Sequence, residues 1–205
     1  MNLTDKQINY FRELFNVGVG RAAGILNSML GSNIKLFDPS LEMTSPNNLI
    51  DKLGRTKFSM VQLNFHGVLS GTAAIIFPTE SIPMFIDVLL GEKSNNTDLD
   101  EMKIGVLTEV GNIVLNGVMG TIGNIIKIHV NYSIPNYFED SIDNILTMSI
   151  SNPNMVVLVV EIAFHIEKLK IDGKIILIFE MSSFDKLLRA FDQLTGANHE
   201  QTKKH

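Results

Sequence analysis

The chain has 205 residues, 45% of them hydrophobic, which is enough to bury a sizeable core as one large domain or two small ones. Its 22 acidic and 17 basic side chains give a formal charge of −5, which argues against nucleic acid or an anionic membrane as the main partner. The absence of cysteine excludes disulfides, thiol nucleophiles and cysteine-ligated metals. Neither a signal peptide nor a run of about 18 apolar residues is visible, so we expect a cytoplasmic protein.

The first half of the sequence predicts the order helix, strand, short helix, strand, strand, helix. Thr4 or Asp5 can cap a long helix that Gly31 ends. Asp38-Pro39 is expected to bend the first strand or to place it at a sheet edge. A strand is predicted at 34–43, a short helix at 46–53, and two further strands at 58–65 and 69–77. A helix follows, which Pro78-Thr79-Glu80-Ser81 opens and Gly91 ends.

The second half repeats this order after a polar linker at 92–98. Asp98 or Asp100 is predicted to start a second long helix that ends near Gly123. Strands are predicted near 126–132, 155–164 and 175–179, with a hairpin turn at Ile171-Asp-Gly-Lys174, a last helix from Ser182 or Ser183 to Gly196, and a frayed tail at 197–205.

Because both halves have the same element order, we expect one domain over 1–205 with internal pseudo-twofold symmetry. Its halves would be 1–91 and 99–196, and neither has enough apolar residues for a core of its own. The predicted fold class is α+β: one shared, mainly antiparallel β-sheet, with the two long helices packed together on it.

A short motif also occurs twice. Glu13-Leu-Phe-Asn16 recurs as Glu109-Val-Gly-Asn112, and a proline follows each asparagine at the same distance, since 39 − 16 and 135 − 112 both equal 23. Residues three apart on a helix share a face, so the glutamate and the asparagine of each motif point the same way. A solvated helix face would explain either copy alone, but the repetition with its proline favours a function.

Glycine is unusually frequent next to the first motif. Gly18, Gly20 and Ala23 match the dinucleotide pattern G-x-G-x-x-A, but that loop needs a preceding strand, and the residues before Gly18 have helical periodicity. We therefore expect the glycines, including Gly24, to lie inside a helix and to allow close approach of the second long helix or of a partner protein. A nucleotide-binding protein stays as a third hypothesis.

A carboxylate and an amide can support a specific kind of chemistry. The amide donates and accepts hydrogen bonds in fixed geometry, so it can orient an attacking water. This is sufficient when the substrate is already activated and its charge neutralised, as in phosphoryl transfer, where catalysis is mostly positioning and electrostatics. The carboxylate would anchor a cationic residue of a substrate protein, and that substrate would bring its own metal.

The doubled pattern resembles the signature of the CheC/CheX/FliY family of chemotaxis phosphatases, whose glycine-rich run is similar to FNVGVGRAA. The resemblance covers essentially the whole chain. It implies dephosphorylation of the response regulator CheY: Asn16 and Asn112 would orient water for attack on the aspartyl phosphate, and Glu13 and Glu109 would pair with a regulator lysine. It also implies that Mg²⁺ belongs to the regulator, that the chain has no cofactor or metal of its own, and that CheD, a receptor-modifying deamidase, is a partner.

Two positions depart from the family pattern. Four residues before each glutamate the family has Asp or Ser, whereas this chain has Asn9 and Gly105. Asn9 keeps a polar side chain and Gly105 does not, so we expect the first motif to contribute more. The alternative is a largely non-catalytic adaptor that binds CheD or phosphorylated CheY. In either case we expect a monomer that neither binds nucleic acid nor inserts into a membrane.

Overall fold

The computed structural model describes residues 3–31, 34–54, 56–91, 101–144, 155–166 and 169–201. The helices are α1 (Asp5–Leu30), α2 (Pro46–Leu53), α3 (Ile82–Leu90), α4 (Glu101–Ile125) and α5 (Met181–Gln201). The strands are β1 (Ile34–Thr44), β2 (Lys57–Gly67), β3 (Gly71–Pro78), β4 (Val130–Tyr132), β5 (Asn136–Ser141), β6 (Met155–Ile166) and β7 (Leu169–Glu180). A 3₁₀ turn at Thr79–Ser81 precedes α3.

Local signals set both ends of α1. The Thr4 side chain accepts a hydrogen bond from the backbone N–H of Gln7 at 3.3 Å, and the Gln7 side chain accepts one from the backbone N–H of Thr4 at 3.0 Å. This reciprocal capping box satisfies two amides that have no partner inside the helix. Gly31 ends α1 with a φ of 63°, a left-handed conformation that glycine adopts without steric cost. The predicted bounds of this helix are confirmed.

The strands form one sheet in the order β1-β6-β7-β3-β2-β4, and β5 pairs with β2 on the same side as β4. All described pairings are antiparallel, and β7 and β3 lie at the centre. The register of β1 against β6 shifts between Phe37 and Ser40, where Asp38-Pro39 was expected to disturb an edge strand. The predicted α+β class, with a mainly antiparallel sheet and a single domain, is confirmed.

Side chains alternate between two apolar layers on the faces of this sheet. In β3, Ala73, Ile75 and Phe77 join the larger cluster with the long helices, whereas Ala74 and Ile76 join a smaller cluster with α2. This alternation follows from the two-residue period of a strand. The larger cluster also contains the buried faces of α3 and α5, so the helices of both halves share one core.

The predicted hairpin at 171–174 is wrong. These residues continue β7, and Gly173 lies opposite Ile162 in the β6–β7 ladder. A Cβ on Gly173 would lie 2.9 Å from Cε1 of Phe77 and 3.3 Å from Cε2 of Phe164. The glycine therefore makes room for two aromatic rings that a side chain at this position would meet.

The strand predicted at 126–132 is largely wrong as well. Helix α4 extends to Ile125, the backbone turns at Lys127 with a φ of 54°, and only Val130–Tyr132 forms a strand. Ile126 and Ile128 pack against the core from this turn, which explains why an apolar run gave a strand signal. The sequence analysis also missed the exposed edge strand β5, which has no regular alternation.

The predicted start of the last helix is wrong too. Helix α5 begins at Met181, so Ser182 and Ser183 lie inside it. Ser183 is buried, and its hydroxyl oxygen accepts a hydrogen bond from the backbone N–H of Ser70 at 3.0 Å. The helix also continues past Gly196 to Gln201, into the predicted tail. The linker at 92–98 and the predicted helix start at Asp98 or Asp100 lie outside the described residues.

One stretch of α4, Ile104–Ile125, is long and apolar enough to cross a membrane by length and composition alone. Half of its most apolar window is buried inside the fold, where Leu107, Val114 and Val118 belong to the core. A core helix of a soluble protein passes the same test, so this stretch is weak evidence for a membrane span.

Candidate functional site

Helices α1 and α4 touch through glycine. A Cβ on Gly18 would lie 2.8 Å from Cα of Val118, and one on Gly117 would lie 2.7 Å from the carbonyl oxygen of Gly18. The long helices thus pack together as predicted, but Gly18 makes the contact. Gly24 is exposed, and among the described residues beyond its own helical turn nothing lies within 4 Å of where its Cβ would be. Packing of Gly24 against the second long helix is therefore wrong, whereas the close approach of a partner protein stays a prediction.

The glycine-rich stretch is helical throughout. Gly18, Gly20 and Ala23 lie in the uninterrupted helix α1, which begins at Asp5. A dinucleotide-binding loop requires a strand before its first glycine and a helix that starts there. The structure therefore removes the basis of the nucleotide hypothesis.

The helix pairing places the two motifs on opposite sides of the helix crossing. Gly18 meets Val118 at the crossing, whereas further along α1 Met29 lines a cavity with Glu109. The two helices therefore run in roughly opposite directions. Each motif precedes the crossing on its own helix, so the two motifs lie apart, towards opposite ends of the helix pair.

The first motif lies in the open. Glu13 and Asn16 are both exposed, and within the described ranges neither side chain makes a hydrogen bond or an ion pair. Val17, beside Asn16, leaves 47% of its surface exposed. Asn9, at the departing family position, accepts a hydrogen bond from Nη1 of Arg12 at 3.4 Å. A partner can therefore reach the Asn16 amide without displacing an internal contact.

The second motif is more enclosed. Glu109 is exposed, but Asn112 is half-buried, and its Oδ1 accepts a hydrogen bond from Nδ2 of Asn116 at 2.7 Å. Gly105 is exposed and provides no side chain at the position where the family has Asp or Ser. The two motifs have equivalent sequences, but their asparagines have different surroundings.

Helix α1 provides a wall beside the second motif. Arg21 and Ile25 line a cleft of about 400 Å³ that contains Asn112 and Asn116, and a neighbouring cavity that contains Glu109. Arg21 donates from Nη1 to Oγ1 of the buried Thr121 at 3.4 Å, which ties its side chain to α4.

The residues of α4 that stand at the motif spacing from this wall have different side chains. The motifs are 96 positions apart, since 109 − 13 = 96. At this spacing Arg21 corresponds to Gly117 and Ile25 to the buried Thr121. Neither counterpart can provide a projecting side chain like that of Arg21. The sequence analysis did not identify Arg21 or Asn116, although a position-by-position comparison of the two halves would have shown both differences.

The prolines that follow the motifs lie at strand irregularities. Pro39 falls within the shift of the β1–β6 register, and Pro135 separates β4 from β5. Proline cannot donate a ladder hydrogen bond, so it is confined to such places in a sheet. These two positions indicate that the prolines shape the sheet edges.

The described residues contain no group of three or more histidine, aspartate or glutamate side chains that could hold a metal ion. His66, which the sequence pairs with His165 in the other half, is exposed on β2 opposite Asn131.

The chain was compared with known protein families, sequences and solved structures. No protein-family model matches the chain. The chain is 24% identical to the CheY-P phosphatase CheC of Bacillus subtilis (strain 168) over 200 residues, which cover 92% of this chain and 95% of that protein. The crystal structure of Thermotoga maritima FliY is 22% identical, with a TM-score of 0.76, and the match covers 95% of this chain and 100% of that one.

Two further structures share the fold with lower TM-scores. A chain of the CheX–CheY–BeF₃–Mg²⁺ complex from Borrelia burgdorferi is 23% identical with a TM-score of 0.54, covering 83% of this chain and 98% of that one. The FliM middle domain from H. pylori is 14% identical with a TM-score of 0.66, covering 92% and 99%. The chain is thus similar in sequence to CheC along nearly its whole length, and it shares its fold with the solved FliY, CheX–CheY complex and FliM chains.

Proposed function

We propose that this chain dephosphorylates the response regulator CheY by hydrolysing its aspartyl phosphate. Asn16 and Asn112 orient the attacking water, and Glu13 and Glu109 anchor the regulator through a basic side chain. The observation that carries the proposal is the exposed pair Glu13 and Asn16, whose side chains make no hydrogen bond or ion pair within the described part of the chain. An amide kept free on a helix surface is available to a partner's active site.

The chemistry requires little from the enzyme. An aspartyl phosphate is an activated mixed anhydride, and the proposed substrate brings the Mg²⁺ that neutralises its charge, so this chain needs no metal or cofactor of its own. What remains is to hold a water in line with the phosphorus, and positioning of this kind can supply several kcal/mol, on the order of 7–11 in favourable cases. A rigid helix that presents an amide is suited to that task.

The relatives support this choice of substrate. The chain is similar to a protein named for CheY-P phosphatase activity, and to a chain solved in complex with CheY, BeF₃ and Mg²⁺. The likeness to the FliM middle domain concerns the fold alone, so the argument for activity rests on the motif residues. We propose that the chain acts in the cytoplasm as a monomer, and as one functional unit of two halves.

The two motifs contribute unequally in this proposal. Asn16 is exposed and its side chain makes no hydrogen bond to any residue that the structure describes, whereas Asn112 is half-buried and hydrogen-bonded to Asn116. Insertion into the active site of a regulator favours the more accessible amide. Asn16 therefore provides most of the activity.

A largely non-catalytic adaptor that binds CheD, phosphorylated CheY or both is the second candidate. The enclosed second motif and the missing side chain at Gly105 favour it, because a surface that binds without hydrolysis does not need a free amide. It differs from the phosphatase in one measurable respect. An adaptor binds the activated regulator without shortening the lifetime of its phosphate.

The test uses phosphorylated CheY with its Mg²⁺. The decay of the phosphate is followed with and without the chain, and the affinity for CheY activated with beryllofluoride is measured in parallel. The phosphatase proposal predicts faster decay, a large loss in Asn16→Ala, and a smaller loss in Asn112→Ala. Tight binding with unchanged decay would contradict it and favour the adaptor.

A further inference from the structure

The two motifs differ at the position one helical turn after each asparagine. Gly20 follows Asn16 and Asn116 follows Asn112, since 20 − 16 and 116 − 112 both equal 4. Side chains four apart lie on one helix face and can touch. Asn116 uses this proximity to donate its hydrogen bond to Oδ1 of Asn112 at 2.7 Å, whereas Gly20 has no side chain with which to do so. One asparagine is held by its neighbour and the other is not.

The atom that Asn116 engages is the one that the attacking water needs. A water that attacks phosphorus points an oxygen lone pair at it, so its hydrogens face away and require acceptors. The only acceptor in an asparagine side chain is Oδ1, whose two lone pairs set its capacity. The hydrogen bond from Asn116 occupies one of them and fixes the plane of the Asn112 amide. Both effects reduce the freedom of Asn112 to receive a water.

Burial acts in the same direction. Asn112 is half-buried in the cleft lined by Arg21 and Ile25, whereas Asn16 is exposed. The Asn116–Asn112 bond itself is exposed, so its effect on Asn112 adds to that of the cleft walls, which limit the directions from which a regulator can reach the amide.

We propose that Asn116 is a positioning residue that lowers hydrolysis at the second motif by holding Oδ1 of Asn112, so that the pair Gly20 and Asn116 decides which motif acts. The inference rests on the proposed phosphatase function. It assigns the inequality of the motifs to one hydrogen bond, separately from the missing side chain at Gly105.

The experiment isolates each motif and removes or adds the hydrogen bond. In a chain with Asn16→Ala, which leaves only the second motif, Asn116→Ala is expected to raise kcat for phosphorylated CheY about fivefold, the factor that corresponds to one neutral hydrogen bond of ordinary net strength. KM is expected to stay unchanged, because binding of the regulator is not altered. Alanine favours helix more than asparagine does, so this variant is expected to fold.

The reciprocal variant tests the same bond at the first motif. In a chain with Asn112→Ala, Gly20→Asn is expected to lower kcat by a similar factor at constant KM. Gly20→Ala is the matched control, because among the described residues beyond its own turn nothing lies within 4 Å of a Cβ at Gly20. This control changes the helix propensity without adding a donor, so its kcat is expected to match that of the parent.

Each outcome decides the inference. The inference is supported if kcat rises with Asn116→Ala and falls with Gly20→Asn but not with Gly20→Ala. An unchanged or lower kcat in Asn116→Ala would overturn it, as would an effect confined to KM or equal effects of Gly20→Asn and Gly20→Ala. Failure of the phosphatase proposal is recognised separately, because the chain with both Asn16 and Asn112 replaced would then match the wild type.

Discussion

A Cβ at Gly18 would lie 2.8 Å from the Cα of Val118, so α1 and α4 are in backbone-to-backbone contact at this point. Real Cβ atoms essentially never approach another heavy atom this closely, and both sides of the contact are main chain. The contact fixes the spacing of two helices whose outward faces present the two motifs. Gly18 is therefore a structural element of the site, although its own side of α1 faces inward.

Gly18→Ala is expected to destabilise the protein by about 1–3 kcal/mol, the usual cost of overpacking a core in which the backbone has to move. The free energy of unfolding in urea measures it. Gly24→Ala is the matched control on the same helix, because its Cβ meets no atom within 4 Å in the described structure beyond its own turn. This control is expected to be neutral or to stabilise by up to about 1 kcal/mol through helix propensity. Equal effects of the two substitutions would contradict the account of the crossing.

Ser183→Ala is expected to cost about 1–3 kcal/mol of stability, because it removes the acceptor of the Ser70 backbone N–H inside a packed region. Thermal or urea unfolding tests this. Ser182→Ala provides the control, since Ser182 is the preceding residue in α5 and is exposed. If Ser182→Ala were the more damaging of the two, the capping role predicted from sequence would regain support.

The ionisation of Glu161 makes the free energy of unfolding depend on pH in the acid range. The hydrogen bond from Lys174 is the main cause that lowers the pKa of Glu161 below its ordinary value of 4.5. Burial opposes this shift, and the charges of Lys174 and Lys52 and the hydrogen bond from Ser40 make smaller contributions that lower the pKa further. A carboxyl group with a lowered folded-state pKa stabilises the fold above its unfolded-state pKa, and this stabilisation is lost as the pH falls through the folded value. The free energy of unfolding should therefore decrease as the pH is lowered below about 4.5.

Glu161→Gln and Lys174→Met should each flatten that decrease, measured by urea unfolding between neutral pH and acid. The Glu161 side chain is 45% exposed, so solvent screening keeps the effect small and it should shrink further in high salt. If the slope in the wild type and in both variants were the same, the ion pair would have no part in acid sensitivity.

Much of this fold could be predicted because its signals are local. The capping residue Thr4, the terminating Gly31 and the proline that starts α2 act on adjacent backbone groups, and all appear in the structure as the sequence indicates. The shared element order of the two halves also predicted one sheet, because neither half could bury its apolar residues alone.

The errors concern residues whose role depends on distant neighbours. Gly173 predicted a turn, but it makes room for Phe77 and Phe164, which belong to β3 and β6. Gly18 and Gly24 are equally plausible packing positions in the sequence, and only the crossing with α4 distinguishes them. Periodicity and composition contain no information about such contacts.

The candidate site also combines features that local sequence predicts with features that depend on distant residues. The repeat located Glu13, Asn16, Glu109 and Asn112, and the structure places all four on α1 and α4. The sequence repeat could not show that Asn112 is half-buried beside Arg21 or that Asn116 holds its amide. Both facts arise from the pairing of the two helices and from side-chain rotamers.

The most direct test of the proposed function is the decay of phosphorylated CheY in the presence of a chain that carries both Asn16→Ala and Asn112→Ala. Asn16 is exposed, Asn112 is only half-buried, and alanine favours helix more than asparagine does, so urea unfolding should show stability close to that of the wild type. Our account predicts that this variant still binds beryllofluoride-activated CheY but leaves the phosphate to decay at the regulator's own rate. Decay as fast as with the wild-type chain would contradict it.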